Sequence, residues 1–182
     1  MASDPEQVDV LICGSGSAGL CAAVWLSRFG INYKILERRD GPLQVGQADG
    51  VQTRTVEIFD SFNLAEDLLR EAYHVLEVAF WSPPEGDDRD KGIRRSRYAA
   101  DKETEISHQP HVILNQARLN ELMIGDLEKS GGLPPPIEYG CDVKGVQVDE
   151  TEAKNADAYC VKVDVVEKGV AKTYRAKYVL VS

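Results

Sequence analysis

The chain has 182 residues, 43% of them hydrophobic and 28% charged, which suits a single soluble globular domain. Its 21 basic and 30 acidic residues leave a net charge of -9, and no Lys/Arg-rich stretch stands apart from acidic neighbours, so nucleic acid is excluded as a partner. No window approaches the run of about 18 apolar residues that a membrane span needs, so no membrane partner is expected.

Val8 to Cys13 is a short apolar run broken only by Asp9 and closed by Gly14, as in a strand covered on both faces. From Ser17 to Phe29 the period changes to helical, with Ala18, Cys21, Ala22, Trp25 and Leu26 recurring, and Gly30 sits where a left-handed cap belongs. Asn32 to Leu36 is a second strand. A strand, helix and strand this closely joined form a β-α-β unit whose strands run parallel.

Arg54 to Ala72 predicts one or two helices interrupted near Asn63, and residues 75 to 81 a strand. Pro83 to Lys102 reads as an exposed loop or hairpin connection. Gln116 to Lys129 places Leu119, Leu122, Met123 and Leu127 on one helical face, and Gly131, Gly132 and three prolines end it. Glu138 to Asp149 and Tyr159 to Val166 alternate as strands, with an acidic turn between them. The last residues, Tyr178 to Ser182, form an apolar strand with nothing after it, so the domain is expected to be truncated before completion. The fold class is α/β: a Rossmann-like β-α-β start, a helical middle and a β-rich C-terminal part.

Gly14, Gly16 and Gly19 form a GxGxxG pattern that follows a strand and opens a helix, the setting a dinucleotide fingerprint requires. Gly14 permits the tight turn, Gly16 lets backbone approach a pyrophosphate, and Gly19 lets helix and strand pack closely. Phosphates would meet the free N–H groups around Ser17, Ala18 and Gly19. Glu37, at the end of the second strand, can accept from both ribose hydroxyls and would repel a 2′-phosphate, which favours FAD or NAD. Arg38 and Arg39 beside it could reach adenine or phosphate, or form a solvated charge pair.

Cys13, Cys21, Cys141 and Cys160 show no CxxC pair and read as reduced thiols of a cytoplasmic protein. Cys13 and Cys21 read as packing residues. His74, His108 and His111 have no metal-ligand spacing, so no metal is expected.

Gly46-Gln47-Ala48-Asp49-Gly50, followed by Arg54 and a helix, and Gln116 at the start of the later helix, separate flavoproteins from other dinucleotide binders. With the fingerprint, these residues resemble the FAD-dependent aromatic hydroxylases, in particular their phenol 2-monooxygenase branch. The resemblance implies that NADPH reduces bound FAD, that oxygen adds to the reduced flavin, and that a phenolic substrate is hydroxylated beside its hydroxyl. It implies that Asp49 lies near the phenol and accepts its proton, a role suited to a carboxylate; an aspartate supporting a glycine turn is the plain alternative. Gln47 would lie by the flavin, Arg54 near the flavin edge or the phosphates, and Gln116 against the cofactor. Arg54 could instead pair on its helix, and Gln116 could be a polar first-turn residue. A homodimer is an expectation for the full-length protein.

The resemblance divides the chain into the fingerprint (8–37), a flavin- and substrate-facing segment (46–58), an amphipathic helix (116–130) and a β-rich end (137–182). In that family an Asp-Gly motif follows a strand like Lys177 to Val181, and a Gly-Asp motif comes later; neither occurs here. Two alternatives stand beside it: a self-contained dinucleotide-binding remnant without activity, and an NAD-dependent dehydrogenase or flavin disulfide reductase. The last lacks a CxxxxC pair, and a dehydrogenase leaves GQADG unexplained.

Overall fold

A computed structural model describes residues 5–83, 92–101, 107–131 and 136–182. The chain divides into two compact units, one built from residues 1–47 and 116–182 and the other from 48–115.

The first unit opens with β1 (Glu6–Cys13), α1 (Ser17–Arg28) and β2 (Tyr33–Glu37). The two strands are parallel, with Val10 opposite Tyr33 and Cys13 opposite Leu36, as the β-α-β pattern predicts. Leu11, Ile12, Ile35 and Leu36 are buried, the pattern of strands covered on both faces. Helix α1 buries Gly19, Leu20, Ala23 and Val24 on one stripe. It stops at Gly30, whose φ of +66° is one a side chain would resist, and Ile31 N–H closes the end onto the Leu26 carbonyl at 3.0 Å.

After the second unit the chain returns as α4 (Gln116–Gly131), which packs against α1. Leu119, Met123 and Leu127 are buried, as their helical spacing predicts. The glycine and proline run expected to end this helix falls mostly on 132–135, outside the described residues.

The stretch read as one strand from Glu138 divides at Gly140 into β8 (Ile137–Tyr139) and β9 (Cys141–Val148). Gly140 has φ +74°, so the chain bends there and β8 pairs in parallel with β2 while β9 joins a different neighbour. β10 (Val161–Glu167) and β11 (Val170–Val181) complete an antiparallel meander with β9. β11 starts earlier than the apolar run at Tyr178 indicates, because its first half alternates buried and open residues against β10. Its second half runs parallel to β1, Glu6 facing Tyr174 and Cys13 facing Val181. The six strands follow the order β8-β2-β1-β11-β10-β9. Val163, Tyr174 and Ala176 of the meander are fully buried with Leu11 and Leu36 in one cluster.

The second unit holds β3 (Gly50–Val51), α2 (Thr53–Ser61), α3 (Ala65–Glu71), β4 (Tyr73–His74), β5 (Glu77–Ser82), β6 (Arg94–Ala100) and β7 (Val112–Ile113). Asn63, at φ +57°, separates the two helices where the sequence pattern breaks; asparagine tolerates this conformation better than most residues. Val56, Phe59, Phe62 and Leu68 form its core with Val112. The loop or hairpin expected from Pro83 contains a true strand, β6, antiparallel to β5, and residues 84–91 lie outside the described ones. The two-residue strands β3, β4 and β7 form a small sheet too short to leave a periodic signal.

Candidate functional site

In an open parallel sheet, ligands meet the chain beyond the carboxyl ends of the strands. In the first unit β1, β2 and β11 end together, and a cleft of about 460 Å³ opens there. Gly14, Gly16, Glu37, Arg38 and Gln47 line it.

The three glycines differ in what surrounds them. Gly14 has φ +115°, and a Cβ there would strike the Ser182 carbonyl. At Gly19 a Cβ would strike the Gly14 carbonyl and lie 2.7 Å from Ser182 Oγ. Both glycines are demanded by the fold itself. Gly16 meets nothing within 4 Å, so the protein's own packing does not require a glycine there. Its bare face looks onto the start of α1, where no side chain caps the helix. Helix-start N–H groups and the positive end of the macrodipole make this a place for an anion.

Glu37 ends β2 with its side chain buried. Ser15 donates to its Oε2 through N–H at 2.7 Å and through Oγ at 2.8 Å. Arg39 donates to Oε1 through its backbone N–H at 2.9 Å and Nε at 3.0 Å, and to Oε2 through Nη2 at 2.9 Å. Burial acts to raise the carboxyl pKa, but the Arg39 and Ser15 donors prevail and bring it down to about 2. Glu37 is therefore a fixed anion on the cleft lining. Of the two arginines it is Arg39 that pairs with Glu37; Arg38 is exposed on the cleft lining.

Gln116 and Gln47, 69 residues apart in sequence, meet at the same unit's edge. Gln116 Oε1 accepts from Gln47 N–H at 3.0 Å, and Gln116 Nε2 reaches Ser17 Oγ at 3.4 Å. Ser17 Oγ donates to Asn120 Oδ1 at 2.8 Å. Gln47, Gln116, Ser17 and Asn120 thus form one chain of hydrogen bonds from the loop after β2 to the start of α1. Ser15 and Asn120 escape sequence reasoning. For Asn120 a signal existed: it lies one helical turn after Gln116 on the same face of α4.

Asp49 and Arg54 belong to the second unit. Asp49 is exposed just before β3, and its backbone carbonyl accepts from Leu114 N–H at 2.8 Å. Arg54 pairs with Glu57 on its own helix, the simpler of its two sequence readings. In the same unit His111 Nδ1 lies 3.3 Å from Asp101.

The cysteines are free thiols. Burial pushes the Cys13 and Cys21 thiols up, which disfavours thiolate and agrees with their reading as packing residues. Cys141 comes near Glu138 and Glu167 in a cluster that sequence spacing does not reveal. Two ammonium groups already serve these acids: Lys34 lies 2.5 Å from Glu138, and Lys172 3.3 Å from Glu167 and 3.5 Å from Glu138. Burial, then Glu167 and Glu138, push the Cys141 thiol up to about 11.

No helix among the described residues is long and apolar enough to cross a membrane. The chain matches the FAD binding domain family over residues 7–181. It is 51% identical over 178 residues to the FAD-dependent monooxygenase terD of Aspergillus terreus, covering 97% of this chain and 28% of that protein. It is 38% identical over 181 residues to 3-hydroxybenzoate 4-monooxygenase of Comamonas testosteroni, covering 97% of this chain and 27% of that protein. Its fold matches the crystal structure of the flavin-dependent monooxygenase PieE in complex with FAD and substrate at a TM-score of 0.76. That match has 23% identity and covers 98% of this chain and 30% of that one. The chain therefore spans between a quarter and a third of the length of these proteins. It belongs to the FAD binding domain family, in the form carried by flavin-dependent monooxygenases.

Proposed function

We propose that this chain is the adenosine-pyrophosphate-binding part of a cytoplasmic flavin-dependent monooxygenase that hydroxylates phenolic compounds with NADPH and O2. The observation that carries the reading is the contrast among the glycines. Gly14 and Gly19 are filled in by their own chain, whereas the face of Gly16 is open beside an uncapped helix start. That space suits a pyrophosphate. Glu37, held ionised, suits the ribose hydroxyls. Arg38 would lie beside the adenosine half, and Gln47, Arg54 and Gln116 along the rest of the cofactor.

FAD, when bound, supplies the redox chemistry that side chains lack. What this chain adds is binding and orientation: N–H donors at Ser17, Ala18 and Gly19, an acceptor at Glu37, and a carboxylate at Asp49 for the phenol proton. A phenolic substrate fits the relative that acts on 3-hydroxybenzoate, whose ring carries a hydroxyl. NADPH as reductant and a homodimeric whole protein belong to the same reading.

The transcript beyond the codon for Ser182 tests it. An in-frame continuation bearing an Asp-Gly motif within a few residues supports the oxygenase, and the complete polypeptide then consumes NADPH and O2 with phenols. A stop codon in that place overturns the oxygenase and leaves a dinucleotide-binding remnant.

A further inference from the structure

The Ser17 hydroxyl has one proton, and in the structure it goes to Asn120 Oδ1 at 2.8 Å. Gln116 Nε2 approaches the same Ser17 oxygen at 3.4 Å. Asn120 is only 2% exposed, and its Nδ2 is a buried donor with no acceptor among the described residues. Buried amide N–H groups are almost always paired, so a stranded one marks either a fault or a function. Its place favours function. The carboxamide touches the first residue of α1, a twelve-residue helix whose start has no side-chain cap.

We propose that Asn120 is a positioning residue of the dinucleotide site, and that its carboxamide turns over when a pyrophosphate reaches the start of α1. Nδ2 then donates to Ser17 Oγ, and the Ser17 O–H turns its hydrogen bond from Asn120 Oδ1 to a phosphate oxygen. No covalent bond changes. The amide's oxygen and nitrogen ends are nearly equal in size, so the exchange needs no new space. A hydroxyl that both accepts from an amide and donates to an anion is polarised in the direction that strengthens its bond to the anion. The relay also couples the helix start to Gln116 and, through it, to the Gln47 backbone. This inference rests on the reading of the cleft as a dinucleotide site, and its test separates the two.

Asn120→Asp keeps the shape and the acceptor but removes the donor. FAD affinity of the 182-residue chain, measured by calorimetry, is expected to fall roughly tenfold. In a Ser17→Ala background the same substitution is expected to cost under about threefold, because the hydroxyl it acts through is gone. Equal losses in the two backgrounds would mean that the new charge alone repels the ligand, and would overturn the relay. The unsubstituted chain offers a second readout by amide NMR. On adding FAD, the Asn120 side-chain amide protons should move downfield and exchange more slowly, together with the backbone amides of Ala18 and Gly19. Movement of Ala18 and Gly19 without Asn120 overturns this inference and leaves the dinucleotide reading standing. No movement at any of the three overturns both.

Discussion

Two carboxylates in the six-stranded sheet, Glu37 and Glu138, are both depressed below the usual carboxylate range, by different means. Glu37 is held by neighbours close in sequence or on the glycine turn: Ser15 and Arg39. Glu138 is held by Lys34, 104 residues away, and by Tyr174, 36 residues away, with Lys172 in support. Glu37 faces a cleft; Glu138 is closed in by two lysines and a tyrosine. A half-buried acid surrounded by its own cations stitches strands together. Glu37, fixed at a strand end by Ser15 and a single arginine, instead lines the cleft. Environment rather than residue type separates a structural from a binding carboxylate.

The largest effect expected on stability comes from the glycine turn beneath Glu37. Gly19→Val drives a Cβ into the Gly14 carbonyl, which is backbone and cannot step aside. A loss of about 3 kcal/mol is expected in urea unfolding. Full stability would mean that helix and strand do not pack as closely as described.

Glu37→Gln comes next, at about 2 kcal/mol near neutral pH, because it leaves Arg39 without its anion; the partly exposed guanidinium keeps the loss from being larger. The pH dependence has a definite sign. The folded pKa, about 2, lies below the ordinary 4.5, so the carboxylate stabilises the fold above about pH 4.5 and loses that contribution as pH falls toward 2. Unfolding curves of parent and variant should therefore converge over that window. Parallel curves down to pH 2 would show that Glu37 is not held as an anion.

Glu138→Gln sharpens the contrast from the other side. It should cost about 1 kcal/mol, the smaller figure reflecting partial exposure of the group, and leave FAD affinity unchanged. A matching loss of FAD affinity would erase the distinction between the two carboxylates.

The same contrast explains what could be read from sequence. The β-α-β unit, the GxGxxG turn and Glu37 are legible because their contacts run over some twenty residues and obey a known spacing; Ser15 and Glu37 are 22 apart. Breaks at Gly30 and Asn63 are legible because few residues suit their backbone conformation. The division at Gly140 is not, since the residues on both sides keep alternating and only the choice of partner strand changes. The choice of Arg39 over Arg38 depends on the direction the chain takes after β2. Asn120 is open to the spacing of α4 alone, and the Lys34–Glu138–Lys172 group depends on tertiary pairing that no local pattern encodes.

The most direct test of the central claim is calorimetric titration of FAD into the parent chain and Gly16→Val, with a thermal melt of each. Open space around Gly16 predicts nearly equal melting temperatures, weak one-to-one FAD binding by the parent and none by the variant, its side chain occupying the pyrophosphate's place. Equal FAD binding by both proteins would contradict the claim, for the ligand would then lie elsewhere than on the glycine turn.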